Sequence, residues 1–171
     1  MERKWTQAQI KLETERILDE HTTRDYPVQI VSIAESMGLS VYSTTFSRPD
    51  ISGMIKPKEK EIYVCKSDGK QRRRFSIAHE LGHYVLHYES GEFGDKEKEK
   101  HISFRDNVSS QAFDKKEIEA NFFAASLLMP ELEVRRLYEH SYTLEEMAYY
   151  FNVSKAAMGY RLKGLELDDE L

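Results

Sequence analysis

The residues that most restrict the fold of this 171-residue chain are His79, Glu80 and His83, in the stretch RRRFSIAHELGHYVLH. On an α-helix each residue advances about 100° and ~1.5 Å, so His83 lies one turn beyond His79 on the same face. Glu80 flanks the pair. Ile77, Ala78, Leu81, Tyr84, Val85 and Tyr88 gather on the opposite side. The stretch predicts a helix that buries one face and offers two imidazoles and a carboxylate on the other. Gly82 costs roughly 1 kcal/mol relative to alanine inside a helix. Its presence implies a close neighbour there, such as a bound substrate or a strand.

Two neutral imidazoles suit a borderline-soft divalent ion, and three protein ligands leave one position open for water. A carboxylate beside that position can take the water's proton as the water attacks a carbonyl. Glu80 suits that role. For the third ligand several groups compete. His87 shares the face but lies about 12 Å from His79 along the axis, too far for one ion; it belongs to a shell outside the ligands or is a helix-end histidine. His101 sits in a charged stretch and is a poor candidate. Cys65, the sole cysteine, is a minor one. The segment KEIEANFFAASLLMP, residues 116–130, predicts a helix stopped by Pro130. Glu119 falls on its largely apolar face, where an unpartnered carboxylate is costly. Either Glu119 meets a cation, or it simply favours the dipole of the first turn.

The two stretches RRRFSIAHELGHYVLH and EIEANFFAASLLMP together resemble the ImmA/IrrE family of zinc metallopeptidases. ISGMIKPKEKEIYVC is similar to the strand pair that precedes the first block in that family. The likeness runs from about Tyr26 to the C-terminus. It implies His79, His83 and Glu119 as metal ligands and Glu80 as the catalytic acid/base; His87 and Asn121 are candidates for the surrounding shell. It also implies Zn²⁺, with Mn²⁺ as the alternative, and an endopeptidase that cleaves a helix-turn-helix repressor of a mobile element or stress response. Cys65, where many relatives have Asn, and a long charged insert between the blocks depart from the pattern.

The rest of the chain fits this frame. A net charge of −5 argues against general nucleic-acid affinity. One cysteine excludes an internal disulfide and fits a reducing compartment. The N-terminus lacks an apolar signal core and no run approaches a membrane span, so a cytoplasmic protein without a membrane partner is expected. Helices are predicted over roughly residues 5–20 and in VQIVSIAESMG, which stops at Gly38. Strands are predicted in LSVYSTTF, SGMIK and EIYVCK. Residues 89–114 read as a charged surface loop, or as a lid beside the cleft. Arg72, Arg73 and Arg74 oppose the dipole of the helix they open, which calls for acidic partners on this surface or on another protein.

TLEEMAYYFNVSKAAMGYRLKGLEL has a helix-turn-helix cadence. Acidic residues surround its Lys155, Arg161 and Lys163, which favours a structural pair over a DNA reader. The expected fold is α+β and zincin-like. A small, mostly antiparallel sheet would carry the His-Glu-x-x-His helix and a second ligand-bearing helix. Residues 1–138 would form the metallopeptidase domain, with a C-terminal helical pair at 139–171. The rival reading is a non-proteolytic, metal-stabilised regulator that binds a repressor or DNA.

Overall fold

Four strands and seven helices stand among the residues that the computed structural model describes, which are 5–21, 24–91, 93–96, 98–105 and 115–167. Strands β1 (Ser40–Thr44), β2 (Ile51–Lys56), β3 (Glu61–Cys65) and β4 (His101–Phe104) form one sheet in the order β1-β3-β2-β4. β2 and β3 make an antiparallel hairpin with Met54 opposite Tyr63. β1 joins β3 in parallel and β4 joins β2 antiparallel. The fold is α+β with a mixed sheet, antiparallel in two of its three pairings.

β4 corrects the expectation of an unbroken surface loop over 89–114. Four residues are too few for a period-two alternation to stand out against flanking charge. Phe93, from the same stretch, is only 2% exposed. The last part of that stretch, 106–114, lies outside the described residues.

The helices are α1 (Gln7–His21), α2 (Ile30–Ser36), α3 (Lys70–His83), α4 (Lys115–Leu128), α5 (Glu131–Glu139), α6 (Leu144–Phe151) and α7 (Lys155–Gly164). Gly38, at φ +84°, follows α2 in the left-handed conformation that glycine enters without strain. α4 packs between α1 and α3. Gly82 lets α3 and α4 approach closely, because a Cβ there would lie 3.0 Å from Phe123 Cδ1. The neighbour that the glycine makes room for is thus a core phenylalanine of α4, neither a strand nor a substrate.

Ile55 and Ile62 of the sheet, Leu81 of α3, Phe123 of α4 and Met147, Phe151 and Leu162 of α6 and α7 belong to one buried apolar cluster. Two buried arginines reinforce the join. Arg161 donates from Nε to the Met129 carbonyl at 3.0 Å. Arg74 donates to the carbonyls of Val28 at 2.8 Å and Phe151 at 3.4 Å. The arginine triplet therefore divides. Arg74 ties the core together, whereas Arg72 and Arg73 make no ion pair among the described residues. No helix of the described residues is long and apolar enough to cross a membrane.

Candidate metal centre

The C-terminal half of α3 is buried on every side, and His79 and His83 project from it toward the first turn of α4. There they meet Glu117. His79 Nε2 lies 3.1 Å from Glu117 Oε2, His83 Nε2 lies 3.0 Å from Glu117 Oε1, and the two Nε2 atoms are 3.0 Å apart. Ligands of one tetrahedral ion, bound at about 2.0–2.1 Å, stand roughly 3.3 Å from each other. Among the described residues these three side chains alone form a compact set of potential metal ligands.

Beyond His83 the helix widens into a π-helical turn, Tyr84–Tyr88, a local defect found often at functional sites. It brings His87 Nδ1 to 3.1 Å from His83 Nδ1, and His87 Nε2 to 3.0 Å from Glu119 Oε2. The direction of these bonds follows from chemistry. A carboxylate only accepts, so His87 Nε2 carries the hydrogen; a neutral His87 then accepts at Nδ1, and His83 must donate there. Burial lowers the pKa of His83 well below its ordinary value despite the opposing pull of Glu117, which favours the neutral ring. His83 Nε2 is left with a bare lone pair facing a carboxylate oxygen at 3.0 Å. Two lone pairs at that distance repel unless a cation lies between them. The donor set fits a divalent metal on this ground.

Glu119 is held from its other side by the backbone N–H of Trp5 at 3.2 Å and by Lys115 at 3.6 Å. The Trp5 indole donates to the Leu86 carbonyl at 2.8 Å, pinning the start of α1 to the π-helical turn. Glu117 has a different environment. Burial pushes its pKa up, but the surrounding imidazoles of His101, His79 and His83 outweigh burial and hold it well below the usual carboxylate range. His101 Nε2 donates to Glu117 Oε1 at 2.9 Å. Its ring stacks on Phe93, with centroids 5.6 Å apart.

Glu80 is fully buried. Neither of its carboxylate oxygens has a well-formed hydrogen bond among the described residues. Burial raises its pKa, partly opposed by the charges of His79 and His101 and by the nearby Ser103 hydroxyl. The space it occupies is made by Gly53 on β2, where a Cβ would come within 2.6 Å of Glu80 Oε1. An ionisable group buried in this way beside three potential ligands is a candidate for chemistry.

The structure brings His79, His83 and Glu80 together as the sequence led one to expect, with His87 one contact behind them. Glu119 is not among the side chains that converge: it ends the histidine relay, and Glu117 takes the place expected of it. Two residues along a helix is about 200° of rotation, so only one of the two carboxylates can face α3. Asn121 is exposed and makes no hydrogen bond to the cluster. Cys65 lies apart, near the Ser67 hydroxyl at 3.2 Å. His101, set aside on sequence grounds, reaches Glu117 because β4 carries it there.

The family described as the IrrE N-terminal-like domain, a peptidase family, matches residues 34–163. The chain is 33% identical over 98 residues to metallopeptidase ImmA of Bacillus subtilis, covering 56% of this chain and 52% of that protein. It is 30% identical over 101 residues to an uncharacterised immunity region protein of Bacillus phage phi105, covering 58% of each. The matches therefore span little more than half the length of these curated relatives. Among solved structures, a Mycobacterium tuberculosis transcriptional regulator shares the fold at a TM-score of 0.64 and 17% identity, over 91% of this chain and 46% of that one. With both histidine-bearing α3 and carboxylate-bearing α4 inside the matched span, the chain belongs to the ImmA/IrrE family.

Proposed function

We propose that the protein is a metal-dependent endopeptidase in which His79, His83 and Glu117 hold the ion and Glu80 is the catalytic base. The observation that carries this reading is the bare His83 Nε2 lone pair aimed at Glu117 and His79, a constellation that a cation satisfies. Two imidazoles and one carboxylate suit Zn²⁺, with Mn²⁺ the alternative. When bound, the ion supplies Lewis acidity and makes water nucleophilic near neutral pH.

The protein's own groups supply the rest. Glu80, with both oxygens uncommitted, accepts the proton of the attacking water and returns it to the departing amine. The Glu119–His87 relay fixes the ring of His83, as outer partners of metal-binding histidines commonly do. His101 holds the Glu117 carboxylate in place. In this reading residues 1–138 carry the chemistry and the helical pair at 139–171 is packed scaffold. Of the three cations in α7, Arg161 is buried in that scaffold and Lys155 pairs with Glu145 at 2.8 Å, which leaves little for a DNA backbone.

Likeness to a metallopeptidase and to a phage immunity-region protein supports a protein substrate. We place it among helix-turn-helix repressors of the cytoplasm, cut at one site in an exposed linker. Incubating the metal-loaded protein with a repressor encoded beside its gene should give discrete fragments by mass spectrometry. Glu80→Gln should keep metal and fold but lose cleavage. Loss of repressor function with no cut, or equal cleavage by Glu80→Gln, rejects the peptidase reading.

A further inference from the structure

Along the N-terminal half of α3 lies an open groove of about 1180 Å³. Its walls are the first turns of α3, the middle of α4, and α7, and they are mainly apolar. Phe75, Phe122, Ala125, Met129 and Ala157 line it, and Tyr160, 78% exposed, stands at the rim. A concave, mainly apolar surface with a polar rim is of the kind that partners fill.

Charge gives the groove a sign. Every charged residue that lines it is a cation, namely Lys70, Arg72 and Arg161, in a chain whose net charge is −5. Arg161 is committed to the Met129 carbonyl. Lys70 and Arg72 are exposed and make no ion pair among the described residues. Both sit in the first turn of α3, which has no acidic residue and where the helix dipole disfavours cations. Two cations held against a dipole and without a counter-ion are arranged for an anion from outside.

Backbone chemistry defines the occupant's conformation. The walls are helices, so they present no free edge of N–H and C=O groups. An extended peptide would leave its own backbone groups unpaired against apolar side chains, whereas a helix satisfies them internally. Location supplies the rest. Phe75 lines the groove and also stacks near His79, with ring centroids 6.5 Å apart, so the groove and the metal cluster share a wall.

We infer that the groove docks an amphipathic helix with an apolar face and acidic flanks, belonging to the protein that the metal site cuts. This rests on the peptidase reading. It makes substrate choice depend on a helix held beside the scissile segment rather than on the residues at the cut alone. That division lets a site with generic chemistry act on few targets.

The test uses the full chain carrying Glu80→Gln, so that binding is read without turnover. The probe is a fluorescein-labelled amphipathic peptide with a leucine face and glutamate flanks, compared with its lysine-flanked counterpart by fluorescence anisotropy. The acidic peptide should bind at least about tenfold more tightly. Lys70→Glu with Arg72→Glu should reverse that preference, and Tyr160→Ala should weaken both peptides. Circular dichroism checks that each variant is folded; the charge reversals suit the dipole better than the native cations do. Equal or absent binding of the two peptides, or a preference unmoved by the charge reversals, overturns the inference. So does a dimer in sedimentation that the same reversals dissolve, since the groove would then serve a second copy. Repressor cleavage that depends on Glu80 but ignores Lys70, Arg72 and Tyr160 refutes the docking alone. Docking without Glu80-dependent cleavage refutes the peptidase reading instead.

Discussion

Near its start, α4 carries the same functional group on two sides into different surroundings. On one side Glu117 faces His79, His83 and His101. On the other, Glu119 faces His87, Lys115 and the Trp5 backbone. Glu117 meets one donor, His101, and two further ring nitrogens that converge with it, whereas Glu119 meets groups already committed to donating hydrogen bonds. A carboxylate among donors is satisfied and finished; one among converging lone pairs still needs a cation. In the proposed site, the ligand is set by which ring nitrogens a carboxylate faces, not by how deeply it is buried. Glu119 is the more buried of the two.

The largest expected effect separates the two sides directly. Glu117→Ala should weaken divalent-metal binding by more than the roughly 10–100-fold that removal of an outer partner costs. Competition against a chelating dye measures this. If Glu119→Ala were the more damaging change, the assignments of the two carboxylates would be exchanged.

Next comes the relay. His87→Phe and Glu119→Ala should each lower metal affinity by about 10–100-fold. The double variant should lose little beyond the worse single one, because both changes break the same chain of hydrogen bonds. Fully additive losses would show that His87 and Glu119 act separately.

Much of this was legible in the sequence, and the misses share one cause. His79, Glu80 and His83 could be read because a single helix presents them, so spacing alone fixes their relation. The strands in SGMIK and EIYVC were legible from β-branched runs. Glu117 was hidden because α4 lies between α1 and α3 and is apolar almost all round; an apolar-face argument cannot tell which neighbour a carboxylate meets. His101 and Phe93 were hidden by the charge around them; the pairing of β4 with β2 places His101, and Phe93 stacks on its ring. The π-helical turn that aims His87 leaves no mark that a 3.6-residue period would detect. Long-range pairing is what the sequence concealed.

A smaller effect should come from the base rather than the ligands. Gly53→Ala places a methyl 2.6 Å from where Glu80 Oε1 now sits. Glu80 must swing aside, because the three heavy atoms nearest the new methyl all belong to its side chain. Metal affinity should stay near that of the unmodified protein while kcat falls by about 10²-fold, the usual scale for a misplacement near 1 Å. A parallel drop in metal affinity would mean that Glu80 helps to hold the ligands.

The smallest effect expected is that of Gly82→Ala, which acts on both sides of α4 at once. The new Cβ would stand 3.0, 3.2 and 3.2 Å from Cδ1, Cβ and Cγ of Phe123. Phe123 is fully buried, so its ring cannot leave and the helices must part by a few tenths of an ångström. Overpacking of this kind costs about 1–3 kcal/mol. Alanine returns roughly 1 kcal/mol through its better helix propensity. A net loss of about 0–2 kcal/mol corresponds to a fall in Tm of a few degrees for a protein of this size. Because α4 moves as a unit, Glu117 and Glu119 should both retreat, and metal affinity should drop by less than either single carboxylate change produces. A Tm that rises, with metal affinity unchanged, would show that α3 and α4 have room to spare, and that the glycine at 82 does not set the distance across which the two carboxylates work.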